Sequence, residues 1–196
     1  MVRVWLSRLR KLDNMKEKMR HNLLLVIIVT VIVALDRWTK LLVSHKLALG
    51  ESVSPIKALG DFFRIVHWRN TGAAFGLFQN ANVVLLVVSL VVSLVVLFYY
   101  QTLKRNNVLA KLSLSLVLAG AIGNIIDRIK FGYVIDFIAV GRFPVFNVAD
   151  SAVTIGVFLM IIYYLIEERK ALSARKASGT LENAESNDVS EVGEEE

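Results

Sequence analysis

Four stretches of the chain are apolar over an unusual length: Leu23 to about Val43, Ala81 to Tyr100, Val108 to Ile126 and Phe146 to Ile166. A helix rises about 1.5 Å per residue and a bilayer's hydrocarbon core is about 30 Å thick, so each stretch is long enough to cross it. The second contains no charge. Its valines favour strand locally, but its length without a turn signal predicts a spanning helix. The third carries Lys111 near its start, where a long side chain is expected to snorkel to the interface. The fourth ends in Tyr163 and Tyr164, then Glu167, Glu168, Arg169 and Lys170, an aromatic belt followed by a stop.

The pattern therefore predicts an all-α membrane protein with four transmembrane helices. The segment from Ser44 to Asn80 is too long for a simple turn, and Phe62–Trp68 has strand composition. A small extracytoplasmic β-like cap in the first loop is expected there. Three segments follow: a basic N-terminal segment over 1–22, a four-helix domain over 23–166, and a polar tail over 167–196. The tail ends in an acidic run and reads as solvated and disordered. There is no internal repeat.

Charge sharpens this picture. Of 196 residues 55% are hydrophobic, and the net charge of +6 draws heavily on Arg3, Arg8, Arg10, Lys11, Lys16, Lys18 and Arg20. These cations precede an apolar run and have one aromatic among them, Trp5, rather than a repeated stacking pattern. They point to membrane lipid headgroups and orientation control, not to nucleic acid. No small-residue cleavage site follows the first apolar run, and three more spans do, so the first helix is expected to be retained. Lys104, Arg105, Lys111, Arg169, Lys170, Arg175 and Lys176 lie on the N-terminal side if the helices alternate. Both termini are then cytoplasmic.

The chain has no cysteine, which excludes a thiol nucleophile, thiolate metal sites and disulfides. His21, His45 and His67 show no metal-ligand spacing. His21 reads as interfacial and the other two as loop residues. No metal and no cofactor are expected, and nothing demands more than a monomer.

In this topology the unusual polar residues share one face of the membrane: Asp36, Thr39, Lys40, Asn70, Thr71, Asn124, Asp127, Arg128, Asp136, Asn147 and Asp150. A charge deep in a spanning helix costs roughly 2.5–3.5 kcal/mol on insertion scales. Asp36 and Asp150 sit a turn or more inside apolar segments, so they should face a protein interior or a wet cavity. Asn147, Asp150 and Thr154 share one helix face, as do Asn124, Asp127 and Arg128. Ala119, Gly120 and Gly123, with Ala152 and Gly156, offer small surfaces for close helix packing.

Structural readings stand beside the chemical ones. Asp127 and Arg128 read as a pair at a helix end. Asp36 either caps a neighbouring loop or pairs with Lys40 at i, i+4. Asn124 and Asn147 read equally as interhelical hydrogen bonders, and Gly72 and Gly76 mark a tight turn. Asp136 and Asp150 have no obvious local cation and are the strongest candidates for chemistry.

The motifs Asp36-Arg-Trp-Thr-Lys40, Asn70-Thr-Gly-Ala-Ala-Phe-Gly76, Gly120-Ala-Ile-Gly-Asn-Ile-Ile-Asp-Arg128, Val134-Ile-Asp-Phe137 and Phe146-Asn-Val-Ala-Asp-Ser151 occur in this order. Together they resemble lipoprotein signal peptidase (signal peptidase II), from about Leu23 to Ile166. The resemblance implies an aspartic endopeptidase of a bacterial plasma membrane, with its active site at the extracytoplasmic face. Its implied substrate is a diacylglyceryl-modified prolipoprotein, cut before the lipidated cysteine. Asp136 and Asp150 are the implied catalytic pair. Asp36, Asn70, Asn124, Arg128 and Asn147 are implied to position the pair or the substrate.

The chemistry is consistent with that role. Two carboxylates held close share a proton, one activating water and the other donating to the carbonyl oxygen. Three other readings remain: a transporter, since intramembrane acids often mark ion pathways; a serine–lysine peptidase using Ser151 or Ser44 with Lys40; and a non-catalytic scaffold.

Overall fold

The structure is a computed structural model that describes residues 2–72, 81–104 and 106–192. Four helices dominate it: α1 (Val2–Lys46), α2 (Asn82–Thr102), α3 (Val108–Phe131) and α4 (Val148–Val192). Each holds a segment long and apolar enough to cross a membrane: Asn22–Lys46, Asn82–Thr102, Val108–Phe131 and Val148–Ser173. The polar stretch after Ser173 continues as helix to Val192, where composition alone reads as solvated tail. Contacts divide the chain into two units, the first of them ending at Leu159.

Within that unit α3 is the central helix. Just over half of its span is buried, 56%, whereas the spans of α1 and α2 are 11% buried and present their apolar side chains outward. In lipid, apolar contact between helices gains little, so close approach of small residues decides where helices meet. A Cβ on Gly120 would lie 2.2 Å from the Ala149 carbonyl oxygen, and one on Gly156 would lie 2.7 Å from Val117. The small stripe expected from the sequence is therefore where α3 meets the start of α4.

Lys111 departs from expectation. It is 3% exposed and lies within the helix packing instead of reaching for an interface. Antiparallel pairing brings the ends of the spans together: Gln101 donates to Asn22 at one end, and Asn82 donates to the Arg128 carbonyl at the other.

Capping the Arg128 end is a three-stranded antiparallel sheet in the order β1 (Ser52–Val53), β2 (Phe63–Asn70), β3 (Val134–Val140). A 3-10 segment, Lys57–Phe62, leads into β2. The first-loop cap is thus present but incomplete as foreseen, because its third strand comes from the loop after α3. Gly132, with φ 78°, ends α3 in the left-handed conformation that favours glycine and turns the chain into β3. β3 reads Val-Ile-Asp-Phe-Ile-Ala-Val and is buried on both faces, so it lacks the alternation that betrays a half-exposed strand. The pairing sets Trp68 opposite Asp136 and Asn70 opposite Val134, beyond a register shift between Ile65 and Trp68.

Two histidines also differ from the loop reading. His45 lies in the last turn of α1, and His67 is a buried strand residue whose Nδ1 is 3.0 Å from the Leu47 carbonyl oxygen. The side chain of His21 and the whole of Gly76 lie outside the described residues.

Candidate active site

Asp136 and Asp150 reach the site by different routes. Asp136 interrupts the apolar run of β3 and is 1% exposed. Its Oδ1 accepts from Asn147 Nδ2 at 2.7 Å and its Oδ2 from Asn70 Nδ2 at 2.9 Å. Asp150 stands in the first turn of α4, where Asn147 precedes the helix as its N-cap. Asn147 Oδ1 accepts the Asp150 N–H at 2.9 Å, while the Asp150 carboxylate accepts the Asn147 N–H at 3.1 Å. That reciprocal pair has the geometry of a capping box. The remaining Asp150 oxygen accepts from Asn124 Nδ2 at 2.8 Å. All four carboxylate oxygens therefore receive amide donors, and Asn147 touches both acids.

Burial, and after it the charge of Asp150, push the Asp136 carboxyl up to about 7, against the opposing hydrogen bonds of Asn70 and Asn147 and the charge of Lys40. Asp136 is therefore a carboxyl that keeps its proton into the neutral range.

Both acids face one cavity of about 650 Å³. Its polar wall comprises Asn70, Asn124, Arg128, Asp136 and Asp150 with the hydroxyls of Ser89, Ser151 and Thr154; its apolar wall includes Val88 and Val92 of α2, Val117 of α3, Phe143 to Phe146, and Val153 and Ile155 of α4. Val92 lies ten residues into α2, so the cavity runs roughly 15 Å along the spans from the sheet end. It is a cleft open to a spanning apolar surface with two acids at one end. Its lining includes no residue of α1, and among the described residues it reaches only mid-span, unlike a route through the membrane.

Behind the acids lies a cluster of four charges. Lys40 Nζ is 2.9 Å from Asp36 and 2.8 Å from Asp127, and Arg37 is 2.9 Å from Asp36 and 2.6 Å from Asp127. Asp36, Asp127 and Lys40 are almost completely buried. Asp36 pairs with Lys40 at i, i+4, as one of the two sequence readings had it. It also caps the start of α4, accepting the Ala149 N–H at 3.1 Å.

Asp127 does not pair with its neighbour Arg128. It turns toward α1, while Arg128 turns to the cavity. Consecutive helix positions point about 100° apart, so the shared face of Asn124 and Arg128 at i, i+4 excludes Asp127. Arg128 lies within electrostatic reach of Asp150, Asp136 and Asp127.

Of the residues singled out from the sequence, Asp136, Asp150, Asn70, Asn124, Arg128 and Asn147 line or bridge the cavity, Asp36 and Asp127 support it from behind, and Thr39 instead donates to carbonyls of its own helix. Arg37 was missed. Simple counting would have flagged it, since three charges inside one apolar span require a matching acid elsewhere.

Lys40 is committed to carboxylates and to Asn124, at 3.3 Å. The Ser44 and Ser151 hydroxyls instead donate to the backbone carbonyls of Lys40 and Asn147. A serine–lysine pair is absent among the described residues.

Comparisons with known proteins show what the chain is similar to. The family model described as signal peptidase (SPase) II matches residues 28–166. A lipoprotein signal peptidase of Clostridium tetani is 42% identical over 148 residues, 73% of this chain and 93% of that protein. One from Shouchella clausii is 44% identical over 144 residues, 73% of this chain and 93% of that one. A bacterial membrane enzyme solved at 2.3 Å by the in meso method superposes with a TM-score of 0.69 at 32% identity, covering 74% of this chain and 88% of its own. The matched span runs from within α1 into the apolar part of α4 and takes in both acids, their amide donors and the charged cluster behind them: the chain belongs to the signal peptidase II family.

Proposed function

We propose that this chain removes the signal peptide of diacylglyceryl-modified prolipoproteins, cleaving before the lipidated cysteine with Asp136 and Asp150 as the catalytic acids. The observation that carries the reading is the meeting of two carboxylates, from a strand and a helix start, at the end of one apolar-walled cleft and on one shared asparagine. Such a cleft suits acyl chains that stay in the bilayer while the scissile bond needs water.

Asp136 holds the shared proton, because burial and the Asp150 charge disfavour its ionised form. The Asp150 carboxylate takes a proton from water, whose oxygen attacks the carbonyl carbon, while Asp136 protonates the carbonyl oxygen. In collapse of the resulting diol, Asp150 returns its proton to the amide nitrogen, the C–N bond breaks, and Asp136 recovers a proton from a diol hydroxyl. The products are a free carboxylic acid and the amine of the lipidated cysteine, and both aspartates end as they began. Asn147, Asn70 and Asn124 orient the carboxylates, Arg128 positions substrate in the cleft, and Asp36 holds the start of α4.

The basic flanks orient the chain with both termini in the cytoplasm of a bacterium and the cleft at the outer face of its plasma membrane. It acts as a monomer, with residues 23–166 as the peptidase domain.

The decisive experiment uses full-length protein in lipid with a synthetic diacylated lipopeptide. Asp136→Asn and Asp150→Asn are each expected to abolish cleavage while leaving insertion and thermal unfolding cooperative. Full turnover by either variant refutes the aspartic reading.

A further inference from the structure

Both catalytic acids are preceded by a residue whose backbone N–H is bonded to the charged cluster. Asp127 Oδ2 accepts the Ile135 N–H at 3.2 Å, one residue before Asp136. Asp36 Oδ1 accepts the Ala149 N–H at 3.1 Å, one residue before Asp150. The two acceptors are held to each other by Lys40 and by Arg37, whose fork spans them with NH1 on Asp127 and NH2 on Asp36. The same NH2 donates to the Gly123 carbonyl at 3.3 Å, and a Cβ at Gly123 would lie 2.9 Å from Asp36, so α3 is notched to admit this contact. Two acids and two cations make the cluster neutral. The Arg37 side chain keeps 23% exposure, is absent from the cavity wall and touches neither catalytic carboxylate.

Resting on the proposed aspartic mechanism, we infer that Arg37 is a positioning residue of the reaction. It braces Asp36 against Asp127 and so sets the spacing of the backbone positions that carry Asp150 and Asp136. A planar fork suits this task, since one guanidinium satisfies two carboxylates in fixed geometry whereas an ammonium offers a point charge. Its charge has a second effect. Among the described residues, the charged groups acting on the pair are Asp36 and Lys40 from α1 and Arg128 from α3, Arg37 and Asp127 act through their ion pairs with Asp36 and Lys40, and α2 carries no charged residue. Removing the Arg37 charge leaves an uncompensated negative charge beside the pair, which then holds its proton to higher pH.

The test compares Arg37→Gln and Arg37→Lys with the parent in lipid, measuring kcat, KM and the pH dependence of kcat. Arg37→Gln is expected to lower kcat about 10- to 100-fold, as misplacement of reacting groups by a fraction of an ångström to 1 Å does. KM should stay within about twofold because Arg37 does not line the cleft, and the pH profile should move upward as a whole. Arg37→Lys restores the profile's position but only part of the rate.

Parent-like kcat in Arg37→Gln, a loss confined to KM, or a lower active fraction with an unmoved profile would each overturn the inference. If Arg37→Gln yields no folded protein, Arg37→Lys decides alone: parent-like kcat refutes it, and a severalfold lower kcat with an unmoved profile upholds it. Asp136→Asn run alongside separates the two failures: turnover by that variant refutes the aspartic reading itself, whereas its inactivity beside a parent-like Arg37→Gln refutes the positioning role alone.

Discussion

Gly120→Ala asks how tightly the seat of Asp150 is machined. Its new Cβ would lie 2.2 Å from the Ala149 carbonyl oxygen and 2.7 Å from a Val153 methyl. The methyl can rotate aside; the carbonyl is backbone and cannot. Ordinary contact needs about 3.5 Å, so α3 and the first turn of α4 must separate by on the order of 1 Å. Ala149 is bonded to Asp150 and donates its N–H to Asp36, so the shift moves a proposed catalytic acid and strains its anchor together. Overpacking of this kind costs roughly 1–3 kcal/mol, and a displacement of about 1 Å at a reacting group costs on the order of 100-fold in rate. The assay is kcat on a diacylated lipopeptide in lipid, with thermal unfolding measured in parallel. The expected outcome is a rate loss far larger than the loss of folded protein explains. A variant that unfolds earlier yet keeps parent kcat would show that the contact sets stability alone and would refute the reasoning.

Three further expectations can be checked on the same preparation. With the Asp136 carboxyl held up to about 7 by burial and then by Asp150, turnover should fall as pH rises past that value and the proton is lost. Because this lies above the unfolded value of about 4, the group's contribution to stability is complete at lower pH and disappears as pH climbs through about 7; a profile flat from pH 6 to 9 contradicts it. Asn147→Ala should cost about 1 kcal/mol as a lost cap and also lower kcat, whereas Asn147→Ser keeps a capping oxygen and should recover stability without the rate; recovery of both would mean that the bond to Asp136 is idle. Ser44→Ala and Ser151→Ala should retain kcat within about twofold, since each hydroxyl only bonds a carbonyl one turn back; loss of activity in either reopens the serine reading.

Four spans could be read from length and hydropathy alone, because a helix must satisfy its own backbone wherever there is no water to do so. The polar residues that matter were visible for the same reason: in an apolar background each one carries a cost that something must offset. Motif order then tied them to a family.

What the sequence could not supply was direction. β3 reads as a short apolar run between glycines, so nothing local marks Asp136 as a strand residue pinned opposite Trp68. Asp127 and Arg128 are neighbours in the chain and look like partners, yet helical geometry sends them to different faces, and only the packing of α1 against α3 gives Asp127 its cations. Lys111 looks like a snorkelling residue until its neighbours close over it. Arg37 is visible as a charge in an apolar run, but its partner Asp127 lies across an interhelical gap on α3, so no short segment gives it a role. Local energetics determined which residues must be buried or bridged in this protein. Tertiary structure decided which side chain meets which, since side-chain pairing depends on helix rotation and strand register, and neither is encoded in any short segment.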